Sequence, residues 1–210
     1  WTIFDVMISC CTWVFPQMSR RDLERLRGAG YELIDVKPDT LADPDLVAAA
    51  QELGLDVNCM SITFDGCQTL HSEDPRAVEA ALDVVERSCE LGSSLGSAIA
   101  YVVPGQDDGE HALTRYSDAL VRAADCAQAA GSRLCVEHFP GLSLPTARGT
   151  LKFLDDIGHP NLYLLLDLGH LQMSNEDPVS VIEHAGERLG YVHLDDNDGN
   201  GDLHLPLLQG

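Results

Sequence analysis

Positive charge is scarce in this sequence. Thirteen lysines and arginines stand against 34 aspartates and glutamates, a net charge of −21. Such a surface repels phosphate backbones and anionic lipid, which disfavours nucleic acid and membrane partners. The densest basic group, Arg20-Arg21 with Arg25 and Arg27, reads as an exposed helix face. No hydrophobic run approaches transmembrane length. There is no linker, no low-complexity segment and no Cys-x-x-Cys pair. The seven cysteines are an odd number. Cys10, Cys11, Cys59, Cys89, Cys126 and Cys135 sit in apolar strand or helix patterns and Cys67 in a loop. These are expected to be free thiols in a reduced, cytoplasmic protein. The initiator Met is also missing: the sequence starts at Trp1, as a trimmed or partial chain would, leaving room for a removed signal peptide.

The 210 residues, 45% of them hydrophobic, suit one soluble globular domain. Strand and helix patterns alternate along the chain. Strands are expected over Val6 to Trp13, Tyr31 to Val36, Leu55 to Ile62, Ser97 to Val103, Arg133 to His138, Leu162 to Leu166 and Leu189 to Leu194. Helices are expected over Arg20 to Arg27, Pro44 to Leu53, Arg76 to Leu91, Glu110 to Ala130, Thr146 to Ile157 and Asp177 to His184. Asp-Pro pairs open three of the helices and glycines close most of them. Repeated βα units give a closed barrel or an open doubly wound sheet. No Gly-rich phosphate loop follows the first strand, which argues against the open dinucleotide fold. The expected fold is therefore α/β, a TIM (β/α)8-type barrel over residues 1–210, truncated before its eighth strand.

Three successive strands end in a candidate metal ligand. Leu134-Cys135-Val136 leads into Glu137, the run Leu162 to Leu166 into Asp167, and Leu189-Gly190-Tyr191-Val192 into His193. The separations are about one strand-plus-helix unit. Neighbouring parallel strands would bring two carboxylates and one imidazole together, a mixed oxygen and nitrogen site for Mn2+, Mg2+, Co2+ or Zn2+. Such a cation polarises a carbonyl and acidifies the C–H beside it. Glu137 is the candidate base, and His170 or His138 a candidate for assisting proton transfer.

The surrounding residues read Val136-Glu137-His138, Leu166-Asp167-Leu168-Gly169-His170, Val192-His193-Leu194-Asp195-Asp196-Asn197 and Gly201-Asp202-Leu203-His204-Leu205-Pro206. With the first strand Ser9 to Phe15 and the second Gly30 to Asp35, this series resembles the xylose-isomerase-like TIM-barrel superfamily of sugar-phosphate isomerases and epimerases, which includes the endonuclease IV type of abasic-site nuclease. The resemblance implies Glu137, Asp167 and His193 as metal ligands, and His170 as a contact to substrate or a second metal. It implies a fourth ligand, a Glu after the eighth strand, which this sequence does not reach. Gly199 and Asn200 stand where ketose epimerases often carry an Arg, which disfavours that particular type. Asp202 and His204 match an Asp-x-His loop that is a zinc ligand pair in the nuclease branch and a substrate-side lid in sugar enzymes; the lid is preferred.

Each residue also has a plainer reading. Asp167 could cap a helix, Glu137 could be a solvated loop acid, and His193 a hydrogen-bonded core histidine. His138 alternates with Glu137 along its strand and is expected to be structural. His71, His111, His159 and His184 read as surface residues, and Asp107 to Glu110 as a solvated helix start. Asp196-x-Asp198-x-Asn200-Gly201 mimics a calcium loop, but Leu207 stands where a bidentate Glu is needed, so an Asx-rich turn is expected. The leading expectation is a metal-dependent isomerase or epimerase, with dehydratase activity close by, for a small sugar or polyol-derived ketone. The alternatives are an abasic-site nuclease, which lacks histidines at Ile34 to Lys37 and Asn58 to Ser61, and a non-catalytic metal-binding barrel. An incomplete barrel has unpaired edges and reason to form a homo-oligomer.

Overall fold

A computed structural model describes residues 7–64, 69–106, 111–205 and 207–210. Seven strands form one parallel sheet in chain order: β1 (Ser9–Cys11), β2 (Leu33–Val36), β3 (Asp56–Ile62), β4 (Ile99–Val102), β5 (Arg133–Glu137), β6 (Leu162–Asp167) and β7 (Leu189–His193). Helices α1 (Arg20–Gly28), α2 (Pro44–Leu53), α3 (Pro75–Ser94), α4 (Ala112–Ala129), α5 (Ala147–Ile157), α6 (Leu168–Ser174) and α7 (Pro178–Ala185) lie between the strands. The strand order never reverses, as a barrel requires and a doubly wound sheet forbids. No eighth strand occurs among the described residues.

The helix starts follow the capping chemistry. Asp43, Asp74 and Asp177 each accept a backbone N–H from the first turn of α2, α3 and α7, with Pro at the first helical position. Gly54 and Gly158 close α2 and α5 in the left-handed region. The first strand is shorter than expected. Only Ser9–Cys11 is extended, and Thr12–Val14 turns into a 3-10 helix, with the Thr12 hydroxyl tied to the Asp35 carbonyl at 2.8 Å. Val6, Cys67, Asp107 to Glu110 and Pro206 lie outside the described residues, so the Cys67 loop and the Glu110 helix start are not described. The other six cysteines are free thiols, as expected.

Alternation along the strands divides the core in two. Val36, Met60, Ile62, Val102, Val136, Leu164 and Leu166 face the helices and pack against residues such as Leu23, Val85, Leu120 and Leu154. Cys59, Tyr101, Cys135 and Leu165 face the barrel interior. Register matters here. Leu164 pairs with Leu189 but Leu165 pairs with Tyr191, so Gly190 is an extra residue in β7. That one-residue shift sets Asp167 opposite His193. A second shift makes Asn58 the extra residue of β3.

Candidate metal centre at the ends of the fifth, sixth and seventh strands

Glu137, Asp167 and His193 each end a strand, and each shares its face with an interior residue two positions earlier: Cys135, Leu165 and Tyr191. The structure brings the three together, with one ligand atom from each within 4.8 Å of the others. His193 Nδ1 lies 3.1 Å from Glu137 Oε1 and 3.6 Å from Asp167 Oδ2. Both carboxylates are buried, at 5% and 2% exposure. Glu137 is therefore not a solvated loop acid, and His193 is not held by a neutral core partner.

Asp167 caps a helix and also faces the His193 imidazole. Its Oδ1 accepts the backbone N–H of His170 at 2.8 Å and caps α6, while its Oδ2 faces His193. Helix α6 was not expected. Its seven residues are too few for a helical period to show, and Gly169 weakens the pattern. Gly169 is needed there, because its N–H donates to Asp195 Oδ1 at 2.9 Å and a Cβ would lie 2.6 Å from that oxygen.

Two buried carboxylates facing a single imidazole need positive charge. Burial opposes protonation of His193, but hydrogen bonds to Asp167 and Glu137 outweigh it and push its pKa up to about 10. Burial likewise opposes ionisation of Asp167, and the His193 and His170 contacts overcome it, holding the carboxyl below its ordinary value. The His193 Nε2 atom is buried without a hydrogen-bond partner. Two hard oxygens and one imidazole nitrogen, preassembled and short of positive charge, fit a divalent cation.

His170 sits beside this group, fully buried, with Nδ1 3.9 Å from Glu137 Oε1 and Nε2 3.7 Å from Asp202 Oδ1. Its Nε2 makes no hydrogen bond. The Asp202 and His204 loop reaches the same place. His204 Nδ1 donates to Asp195 Oδ2 at 2.9 Å, and Asp195, Asp202 and His204 form a second cluster with ligand atoms within 4.8 Å of one another. His138 is buried just past the end of its strand, and its backbone carbonyl accepts from His170. The calcium-like string forms two Asx turns, Asn197 to Gly199 and Asp198 to Asn200. His111 and His184 are exposed, but His71 and His159 are only half-exposed, correcting their reading as surface residues. His71 meets Tyr116 edge-on, and His159 lies 3.2 Å from Asp125 and accepts from the Asn161 N–H.

Sequence reasoning assigned no role to Asp195, Asp35 or Cys11. All three lie within the segments that carry the family resemblance. Asp35 shares its strand face with Leu33, and a polar residue there is the one sign of an interior carboxylate.

A parallel barrel with a mixed carboxylate and imidazole cluster at the C-terminal ends of its strands defines the class. The xylose isomerase-like TIM barrel family model matches residues 23–210, and the chain belongs to that family. It is 32% identical over 191 residues to the L-ribulose 3-epimerase of Mesorhizobium japonicum, covering 83% of this chain and 63% of that protein. It is 27% identical to the ketose 3-epimerase of Arthrobacter globiformis, covering 83% and 65%. The D-allulose 3-epimerase structure from a Methylomonas species superposes with a TM-score of 0.80 at 23% identity, over 90% of this chain and 72% of that one. The chain thus spans somewhat under two thirds of the length of these curated relatives. Both curated relatives are 3-epimerases by name, one of them a ketose 3-epimerase, so Gly199 and Asn200 do not set this chain apart from proteins of that name, contrary to expectation.

Proposed function

We propose that this chain carries the metal-binding part of a divalent-metal-dependent isomerase or epimerase for a small sugar or polyol-derived ketone. The convergence of Glu137, Asp167 and His193 supports this most directly. These three side chains would hold the cation, and none of their donor atoms distinguishes Mn2+, Mg2+, Co2+ and Zn2+. The cation, when bound, supplies polarisation of the substrate carbonyl and so acidifies the neighbouring C–H. Glu137, buried and adjacent, is placed to take that proton. Return of the proton to the opposite face gives epimerisation, and to the adjacent carbon gives isomerisation. His170, whose Nε2 faces Asp202 and makes no hydrogen bond, would bind a substrate hydroxyl or pass a proton. The Asp202 and His204 loop, hydrogen-bonded through Asp195 to the start of α6, serves as a substrate-side lid. The acidic surface and the missing histidines after β2 and β3 weigh against an abasic-site nuclease.

The test has two parts. Calorimetric titration with Mn2+ should give one tight equivalent that Glu137→Gln and His193→Ala each remove. The Mn2+-loaded chain, incubated with ketoses in D2O, should introduce deuterium beside the carbonyl, followed by NMR. Unchanged stoichiometry in both variants defeats the ligand assignment. Absence of exchange across the pentuloses and hexuloses defeats the activity.

A further inference from the structure

We propose that Asp35 is a positioning residue for the metal centre, accepting the Nε2 proton of His193 from beneath and fixing that imidazole towards Glu137 and Asp167. The inference rests on the cation site proposed above.

His193 Nδ1 already faces the two carboxylates, at 3.1 and 3.6 Å. A ligand imidazole that gives its Nδ1 lone pair to a cation keeps its proton on Nε2. That nitrogen is buried and makes no hydrogen bond. Three aromatic rings stand edge-on to the imidazole, their centroids 6.0 Å from its own for Trp13, 5.2 Å for Tyr101 and 5.9 Å for Tyr191. Two groups offer acceptor capacity from below. One ring nitrogen of His193, one Asp35 carboxylate oxygen and Cys11 Sγ lie within 4.8 Å of one another. Cys11 is a thiol that spends its proton on Asp35 Oδ2 at 3.8 Å. Asp35 is the stronger acceptor of the two.

Asp35 is otherwise hard to account for. It is a carboxylate at 1% exposure inside the barrel, with no lysine or arginine paired to it among the described residues. Burying a carboxylate without a counter-charge costs several kcal/mol. Its hydrogen-bond partners are neutral, and the cationic group acting on it is His193. The Tyr191 hydroxyl lies 2.9 Å from each of its oxygens, and that hydroxyl in turn meets Ser9 Oγ at 2.8 Å and accepts from Asn58 Nδ2 at 2.6 Å. The Ser9 and Tyr191 hydroxyls and one weak S–H fill three of about four lone-pair sites and leave room for another donor. The remaining gap to the imidazole is one that a side-chain adjustment or a bridging water closes.

The frame holding Asp35 is itself part of the argument. Tyr191 lies two residues before His193 on the same face of β7, so one strand carries both the ligand and the hydroxyl that orients the carboxylate beneath it. Asn58, the extra residue of β3, reaches Tyr191 because of that register shift. A carboxylate that holds the second nitrogen of a metal-bound histidine typically contributes 10- to 100-fold in affinity, about the effect to be sought here.

The experiment compares the whole chain with its Asp35→Asn, Tyr191→Phe and Glu137→Gln variants. Affinity for Mn2+ is read by electron paramagnetic resonance, and the His193 ring is read by 15N NMR of the Zn2+-loaded protein. Asp35→Asn should weaken Mn2+ binding by about 10- to 100-fold. Tyr191→Phe, which keeps the carboxylate, should weaken it roughly 2- to 10-fold, the worth of one hydrogen bond. The Nε2–H resonance should be slow to exchange in the wild type and fast in Asp35→Asn. Wild-type affinity and exchange in both Asp35→Asn and Tyr191→Phe, whatever their thermal stability, overturns the inference and leaves the cation site standing. Unchanged affinity in Glu137→Gln overturns the cation site itself. A second bound equivalent lost with Cys11→Ser would place an ion where the proton is assigned, and would also overturn it.

Discussion

His170 donates its Nδ1–H to the backbone carbonyl of His138 across 2.8 Å. A carbonyl only accepts, so the proton is on Nδ1, and in the neutral ring the lone pair is on Nε2, the atom that faces Asp202. The Phe139 ring, 4.2 Å away between centroids, packs on the imidazole and holds its plane. His170 is thus oriented from one side by main chain and left without a hydrogen-bond partner on the other. In His170→Phe the ring packing is kept and both nitrogens are lost. The His138 carbonyl then loses its donor, a cost of about 1–3 kcal/mol. Mn2+ stoichiometry should stay at the wild-type value, because Glu137, Asp167 and His193 are untouched. Deuterium exchange into the ketose should fall about 10²- to 10⁴-fold, the usual worth of a proton-transfer group. Exchange at the wild-type rate would remove His170 from the chemistry.

His138 gives a prediction in acid. Burial, followed by the repulsion of His170, lowers its pKa to about 4. The unfolded chain takes up this proton near pH 6.5 and the folded chain only near 4, so the neutral buried ring favours folding at neutral pH and that advantage is lost as pH falls. The full effect is about 3 kcal/mol. His193 does not interfere, since its raised pKa makes its contribution constant below pH 6.5 and lost only as pH rises towards about 10. In urea melts between pH 7 and 4.5, wild type should therefore lose more stability than His138→Gln. Parallel curves would show that the ring is already protonated in the fold.

The fold was legible because its punctuation is chemical and local. Asp43-Pro44, Asp74-Pro75 and Asp177-Pro178 cap helices in the structure as they do on paper, the runs before Glu137 and Asp167 are buried strands, and the run before His193 is a partly exposed one. The convergence of Glu137, Asp167 and His193 was legible for a related reason: strand order equals chain order, so side chains at successive strand ends become neighbours. Register was not legible. Nothing in Leu189-Gly190-Tyr191 declares that glycine to be an extra residue, and nothing in Asn58 declares that its amide reaches β7. Those outcomes depend on how seven strands curl together, which no window of ten residues contains. The Asp35 network stayed hidden for the same reason, since its members lie on β1, β2, β3 and β7.

Glu176 is a buttress at long range. Its Oε2 accepts the N–H of Ala147 at 2.7 Å and its Oε1 that of Arg148 at 3.0 Å, occupying the open N-terminus of α5 from the loop after α6. Ser174 Oγ adds a third donor at 3.0 Å. Glu176→Ala should cost about 0.5–2 kcal/mol, the range for a lost helix cap. In a protein of this length that is a fall of roughly 1–8 °C in melting temperature. Calorimetric scans check it, and an unchanged midpoint would mean that Thr146, which caps the same helix through Gly149, suffices alone.

Gly190 links register to function. A Cβ built there would lie 2.5 Å from Tyr163 Cβ and 2.6 Å from Cys135 Sγ, and both neighbours are on strands with no freedom to retreat. Gly190→Ala must therefore displace β7 locally or flatten its bulge. Overpacking alone costs about 1–3 kcal/mol, or roughly 2–12 °C in melting temperature for a domain of this size. The second consequence is specific to this site. The extra residue is what pairs Leu165 with Tyr191 and Asp167 with His193, so displacing it moves the imidazole from the two carboxylates. Mn2+ affinity should then fall together with stability, whereas Leu120→Ala in the helix-facing core should lower stability by about 2–5 kcal/mol with affinity unchanged. If Gly190→Ala melts early yet binds Mn2+ as the wild type does, the bulge shapes the sheet without placing the ligand.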